Sequence, residues 1–215
     1  MRTWIKICAT TCIEDALASI EAGADALGFV FAPSRRRVSA EQAQAIAAEL
    51  PANIERVGVF SGDSPAHVRD VAEKVGLTAI QLHGEETSEF ISQLRSRWVR
   101  APRIGVIKTI LVNDDFARRF EEVCRDKDGI DSILLDAGAG SGRTFDWQKA
   151  QPYLSRNEKR VIVAGGLNAE NVGEAIRKLL PWGVDVVSGV EREPGRKDPD
   201  KLKAFVAAVR KADQS

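Results

Sequence analysis

The stretch GADALG, residues 23–28, is the first of four similar segments that decide the fold. Each segment has a glycine, a variable residue, an aspartate or threonine, a small residue and an aliphatic residue. The others are GLTAIQ from Gly76, GIDSIL from Gly129 and GVDVVS from Gly183, so the intervals are 53, 53 and 54 residues. One strand–helix unit needs about 30 residues or fewer, so each interval holds two units. Each glycine is predicted where a helix ends and the chain turns into a strand.

Short apolar runs, typical of buried parallel strands, alternate with helical stretches along the whole chain. The eight runs are Trp4–Cys8, Ala26–Phe31, Arg56–Phe60, Ala79–Leu82, Ile104–Lys108, Ile133–Asp136, Val161–Ala164 and Asp185–Val187. Eight such units fit into 215 residues when the connecting loops are short. The sequence therefore predicts a single (β/α)8 barrel over residues 1–215, with one domain.

Several predicted helices carry start signals. Ser64-Pro65 and Asp198-Pro199 have the pattern of an N-cap followed by proline, and a fifth helix is expected around Asp115–Cys124. Capping boxes are predicted at two positions, and a further cap precedes the seventh helix; these are Thr11 with Glu14, Ser39 with Gln42, and Asn168.

The composition restricts the partners and the compartment. The formal net charge is zero, which argues against a nucleic acid or an anionic membrane as the main partner. The three cysteines, Cys8, Cys12 and Cys124, do not suggest a disulfide framework, so a cytoplasmic setting is expected. With only two histidines to add, no metal site is predicted. We see neither a signal peptide nor a membrane-spanning run.

Two reactive side chains are expected at the catalytic face, which in such barrels lies at the carboxyl ends of the strands. Cys8 ends the first strand and Asp136 ends the sixth, and together they make a plausible general base and general acid. A cysteine thiol titrates near ~8.5, so the base needs surroundings that favour the thiolate. Lys6, two residues earlier on the same side of the strand, is a candidate for that role.

A phosphate site is predicted after strands seven and eight, in the segments AGGLN (164–168) and VSGVE (187–191). Gly165 and Gly166 would present backbone N–H groups just before a capped helix, whose dipole favours an anion. Ser188 and Gly189 would add further N–H groups and a hydroxyl.

Three other features fall at the same face. One of Arg35, Arg36 and Arg37 could bind a substrate carboxylate with its guanidinium fork. His83 ends the fourth strand and is a candidate for substrate contact. The glycine-rich segment that includes Gly138, Gly140 and Gly142 is predicted to be a mobile lid.

The chain resembles the phosphoribosylanthranilate isomerases of tryptophan biosynthesis. The motifs that carry the resemblance span nearly the whole sequence, and they are KIC, GADALGFVFAPSRRRVS, RVGVF, QLHGEE, LLDAGAGSGRTFDW, AGGLNAENV and VDVVSGVEREPGRKDP. The resemblance implies an Amadori rearrangement of N-(5-phosphoribosyl)anthranilate without a cofactor, with a small-molecule substrate as the partner. It leaves open whether the protein is a monomer or a homodimer.

The resemblance also assigns roles to individual residues. It implies that Asp136 is the general acid, Cys8 the general base and Arg36 the ligand of the anthranilate carboxylate. Phosphate binding would fall on Gly165, Gly166, Ser188 and Gly189. The chain departs from the family pattern at residues 9, 10 and 12, where Ala, Thr and Cys stand in place of Gly, an aliphatic residue and Arg, and at residue 187, where Val stands in place of a serine.

Two alternatives remain at this point. Another sugar-phosphate isomerase would share the fold and the phosphate loops, but a histidine-pathway enzyme is expected to have aspartate where this chain has Cys8. A metal-dependent pentose-phosphate epimerase needs more histidines than the chain contains. A non-catalytic barrel that binds a phosphorylated metabolite would not need Cys8 and Asp136 together.

Overall fold

Eight parallel strands form a closed barrel in chain order, and β1 pairs with β8 to complete it. The computed structural model describes residues 2–96, 98, 103–138, 144–154 and 158–214. The strands are β1 (Trp4–Ile7), β2 (Ala26–Val30), β3 (Glu55–Phe60), β4 (Ala79–Leu82), β5 (Gly105–Leu111), β6 (Ser132–Asp136), β7 (Arg160–Val163) and β8 (Gly183–Val186). The predicted (β/α)8 barrel is confirmed.

A helix follows each strand on the outside of the barrel. The helices are α1 (Ile13–Ala22), α2 (Ala40–Ala48), α3 (Pro65–Val75), α4 (Ser88–Ser96), α5 (Phe116–Arg125), α6 (Trp147–Leu154), α7 (Val172–Leu179) and α8 (Pro199–Ala212). Within the described ranges, none of them combines the length and apolar character needed to cross a bilayer. A short 3-10 turn, Ser188–Val190, and a hairpin of β9 (Glu191–Glu193) and β10 (Arg196–Lys197) lie between β8 and α8.

Alternation along the strands decides which side chains face the barrel interior. One buried cluster takes residues from seven of the eight strands and can form only inside the barrel; it consists of Trp4, Ala26, Val57, Ala79, Ile107, Leu134, Ile162 and Ala164. Because side chains two residues apart share a face, Lys6 and Cys8 continue the inward side of Trp4. Asp136 continues that of Leu134 in the same way.

The predicted helix starts are confirmed at three positions and wrong at two. Ser39, Ser64 and Asp198 each accept a backbone hydrogen bond at the start of a helix. The N-cap of α1 is Cys12, which makes no side-chain capping bond, and the Thr11 hydroxyl is directed to the Gly195 carbonyl, to which it donates at 2.5 Å. Asn168 caps only a turn, as its Oδ1 accepts from the amides of Glu170 and Asn171, and α7 starts later, at Val172.

The four repeated glycines do not all end helices. Gly23 and Gly76 are left-handed C-caps with φ of 107° and 71°, as predicted. Gly129 lies in the loop after α5, and Gly183 begins β8, while Leu180 caps α7. A Cβ atom at Gly183 would lie 2.9 Å from the Trp4 ring, so this glycine allows β8 to approach β1.

Candidate active site

Cys8 directly follows β1, and Asp136 is the last residue of β6. Both lie at the same mouth of the barrel, on the inward side of their strands. The Asp136 side chain is half-buried, and its Oδ1 accepts a hydrogen bond from the Gly138 amide at 2.9 Å. A Cβ atom at Gly165 would lie 3.1 Å from the same oxygen. The same Cβ atom would lie 2.7 Å from the Ala137 amide nitrogen, and Gly165 has φ of 80°, so the backbone at the end of β7 fits beside Asp136 because residue 165 is glycine.

The Cys8 thiol is packed tightly against β2. The residue is only 4% exposed, and a Cβ atom at Gly28 would lie 2.5 Å from its Sγ. Gly28 thus makes the room that the thiol occupies. Burial raises the pKa of Cys8, although the charges of Lys6 and Lys197 act in the opposite direction.

Lys6 forms a buried ion pair with Asp185, with 2.8 Å between Nζ and Oδ1. Burial alone would lower the pKa of Lys6, but Asp185 and Cys8 together raise it above its usual value. The ammonium therefore stays charged beneath the thiol. The Lys6 charge lowers the pKa of Cys8, as expected, but burial of the thiol raises that pKa by more.

The loops after β7 and β8 fit closely against each other. Gly165 and Gly166 have φ of 80° and 63°, and the Gly166 carbonyl accepts from Asn171 Nδ2 at 3.0 Å. A Cβ atom at Gly189 would lie 2.0 Å from the Leu167 carbonyl oxygen, so no larger residue fits there. Ser188 is exposed beside it. The predicted arrangement is corrected in one respect: a turn separates the glycines from α7.

Arg36 is held by an acidic residue that the sequence did not indicate. Its Nε and Nη2 donate to the two carboxylate oxygens of Glu191, at 2.8 and 2.6 Å. Glu191 also accepts from Lys197, whose Nζ donates to the Cys8 carbonyl at 2.6 Å. Arg35 and Arg37 are exposed, while Arg36 is half-buried.

His83 lies at the end of β4, half-buried, and its amide donates to the Phe60 carbonyl at 2.8 Å. Another buried ion pair fixes the next residue, Gly84. Lys108 Nζ lies 2.6 Å from both the Gly84 carbonyl and Glu86 Oε2. This pair, which sequence reasoning missed, holds the loop after His83 in place. Of the predicted lid, Gly138 is described with φ of 114°, but residues 139–143, including Gly140 and Gly142, lie outside the described residues.

Comparison with known proteins identifies the family. The model of the family described as N-(5'-phosphoribosyl)anthranilate (PRA) isomerase matches residues 5–208. This chain belongs to that family. A relative of that name from Thermotoga maritima is 45% identical over 207 residues, covering 94% of this chain and 96% of the relative. Another from Pseudomonas putida is 43% identical over 213 residues, covering 96% and 97%.

Solved structures of phosphoribosylanthranilate isomerases agree with this assignment. The Thermotoga maritima enzyme superposes with a TM-score of 0.87 at 43% identity, covering 97% of this chain and 99% of that one. A second phosphoribosylanthranilate isomerase structure was determined in complex with reduced 1-(o-carboxyphenylamino)-1-deoxyribulose 5-phosphate. It has a TM-score of 0.84 at 43% identity, with the same coverage.

The loop after Cys8 carries two unfavourable features, at Ala9 and Thr10. Ala9 has φ of 62°, a left-handed conformation that glycine adopts freely and that costs other residues about 1–2 kcal/mol. Thr10 is fully buried, and its hydroxyl has no hydrogen-bond partner in the described ranges. The resemblance implies glycine and an aliphatic residue at these two positions, where this chain has a strained alanine and an unpaired hydroxyl.

We expect Thr10→Val to stabilise the protein by about 1 kcal/mol, because the variant removes a buried unpaired hydroxyl and keeps the side-chain shape. Urea unfolding followed by circular dichroism measures the change. Thr109→Val is the matched control, since the Thr109 hydroxyl accepts from Gln81 at 3.2 Å and its loss should destabilise. A Thr10→Val variant less stable than wild type would contradict the assignment.

Proposed function

We propose that this chain converts N-(5-phosphoribosyl)anthranilate to 1-(2-carboxyphenylamino)-1-deoxyribulose 5-phosphate by general acid–base catalysis. Membership of the isomerase family supports the reaction. The observation that carries the mechanism is the placement of Cys8 and Asp136 at one mouth of the barrel, both facing inward. Acid and base on different strands can reach different atoms of one bound sugar.

The protein exchanges only protons with the substrate, while the ribose ring opens and the electron pairs rearrange within the substrate. Asp136 donates a proton to the ribose ring oxygen, and the C1–O bond breaks to give an open-chain Schiff base. Cys8 then takes the proton from C2, and the electron pair moves to neutralise the iminium as an enolamine. The enolamine tautomerises to the ketone. Every group required is supplied by the protein, so we assign no cofactor.

The remaining site residues bind the substrate in this proposal. The phosphate lies against Gly165, Gly166, Ser188 and Gly189, since the closely packed loops after β7 and β8 offer backbone N–H groups. Arg36 binds the anthranilate carboxylate, and His83 contacts the substrate from the end of β4. We place the protein in the cytoplasm, with its small-molecule substrate as partner. It would be a monomer or a homodimer; one solved Thermotoga maritima relative is described as monomers of a dimeric enzyme.

The function is tested by steady-state turnover of freshly generated phosphoribosylanthranilate. The turnover is followed as loss of anthranilate fluorescence. Wild-type protein should consume the substrate, and inorganic phosphate should inhibit competitively if the phosphate loops bind as proposed. A folded wild-type protein without turnover would favour a barrel that binds a phosphorylated metabolite without converting it.

Arg36→Met should lower kcat/KM by about 10–100-fold, because a hydrogen bond to a charged group contributes about 1.5–3 kcal/mol. The loss should appear mainly in KM. Arg37→Met is the matched control, as Arg37 is exposed on the same loop. If Arg37→Met causes the larger loss, the carboxylate site must be reassigned.

A further inference from the structure

Glu191 is a buried acidic residue at the start of the hairpin after β8. Its side chain is 4% exposed and accepts from groups on three sides. Arg36 donates through Nε and Nη2, the Gly195 amide donates at 3.1 Å, and Lys197 Nζ lies at 3.4 Å. A carboxylate with this many fixed donors is held in one orientation, and it fixes its partners in turn.

Lys197 connects this carboxylate to the reactive cysteine. Its side chain is 1% exposed, and its Nζ donates to the Cys8 carbonyl at 2.6 Å. The Lys197 amide also donates to Asp15 on α1, at 2.8 Å. The hairpin therefore joins Arg36, which follows β2, to Cys8, which follows β1.

Opposite charges hold Glu191 to Arg36 and Lys197. Burial would raise the pKa of Glu191, but Arg36 and Lys197 lower it below its usual value. The hydrogen bonds that Arg36 donates to Glu191 also raise the pKa of Arg36. Glu191 occupies the edge of the guanidinium formed by Nε and Nη2. Within the described residues the adjacent edge, formed by Nη1 and the second N–H of Nη2, has no protein acceptor and can donate to a substrate carboxylate.

We propose that Glu191 is a positioning residue, which orients Arg36 toward the substrate carboxylate at a fixed place relative to Cys8. The proposal rests on the carboxylate-binding role of Arg36 in the proposed function. A glutamine at this position keeps the shape but loses the charge and one acceptor oxygen. The guanidinium is then no longer held by two charge-assisted bonds.

The test compares two substrates, phosphoribosylanthranilate and its analogue made from aniline, which lacks the carboxylate. The ratio of their kcat/KM values measures how much the enzyme uses the carboxylate. Product formation from both is followed by chromatographic separation of aldosylamine and ketose. We expect Glu191→Gln to lower this ratio about tenfold, mainly through KM for the anthranilate substrate. Glu193→Gln, an exposed position on the same strand, is the matched control and should keep the wild-type ratio.

The outcomes distinguish a failure of this proposal from a failure of the carboxylate-binding role of Arg36 on which it rests. If Arg36→Met does not lower the ratio, Arg36 does not bind the carboxylate, and the site assignment fails first. If Arg36→Met lowers the ratio but Glu191→Gln leaves it unchanged, or lowers activity equally on both substrates, Glu191 does not position Arg36. Should Glu191→Gln fail to fold by circular dichroism, Glu191→Asp is judged by the same ratio.

Discussion

Replacing Asp136 by asparagine should lower kcat by about 10²–10⁴-fold, the usual contribution of a general acid. Asparagine has the same shape and can still accept the bond from the Gly138 amide. It cannot donate an acidic proton to the ribose ring oxygen, so ring opening loses its catalyst. Steady-state kinetics with phosphoribosylanthranilate measures the effect.

A binding measurement shows whether Asp136→Asn loses the proton transfer or the structure of the substrate site. The reduced product analogue needs no proton transfer, so its Kd for Asp136→Asn should stay close to that of wild type. Asp114→Asn, an exposed aspartate in the loop after β5, serves as the matched control and should retain wild-type kcat. A kcat for Asp136→Asn within tenfold of wild type would show that another group supplies the proton.

Cys8→Ser should cause a loss of similar size, about 10²–10⁴-fold in kcat, because a serine hydroxyl does not ionise where a thiol does. The base acts only when deprotonated, and burial raises the pKa of Cys8 above its ordinary value. In wild type, kcat/KM should therefore rise with pH and level off only above the ordinary thiol range. The Cys8→Ser profile should lack this rise.

A matched cysteine variant controls for handling and oxidation. Cys124→Ser on α5, outside the barrel, should keep both kcat and the pH profile of wild type. If Cys8→Ser keeps the rising limb of the profile, another group is the base, and Cys8 contributes only packing against Gly28.

The fold could be predicted almost completely from the sequence, because apolar runs and helix starts are local signals. All eight predicted strands occur, though β5 continues to Leu111, three residues beyond the expected Lys108, and β8 begins at Gly183, two residues before the expected Asp185. The wrong helix starts share one cause. Thr11 and Asn168 have suitable side chains, but each is directed to another partner, Thr11 to the Gly195 carbonyl and Asn168 to the amides of a turn before α7.

The site could be predicted only in part, for a physical reason. The strand-end rule locates Cys8 and Asp136, because a single strand determines each position. The partners of Arg36 depend on contacts across 155 residues, and the link from Lys197 to Cys8 spans 189. Glu191 and Lys197 stand in a short charged stretch, EREPGRK, that is typical of an exposed turn. Both side chains are buried only because the hairpin packs against the barrel in the folded protein.

The joining of β1 to the end of the chain has a consequence for the order of folding. Cys8 is linked to Lys197, Lys6 to Asp185, and Thr3 to Asp213 across 210 residues. Contacts of such sequence separation form late, since long loops must close first. During synthesis or refolding, helices and early strand pairs can assemble while the cysteine still lacks its surroundings. Catalytic competence should therefore appear only with the slowest kinetic phase, after most of the helical signal has recovered.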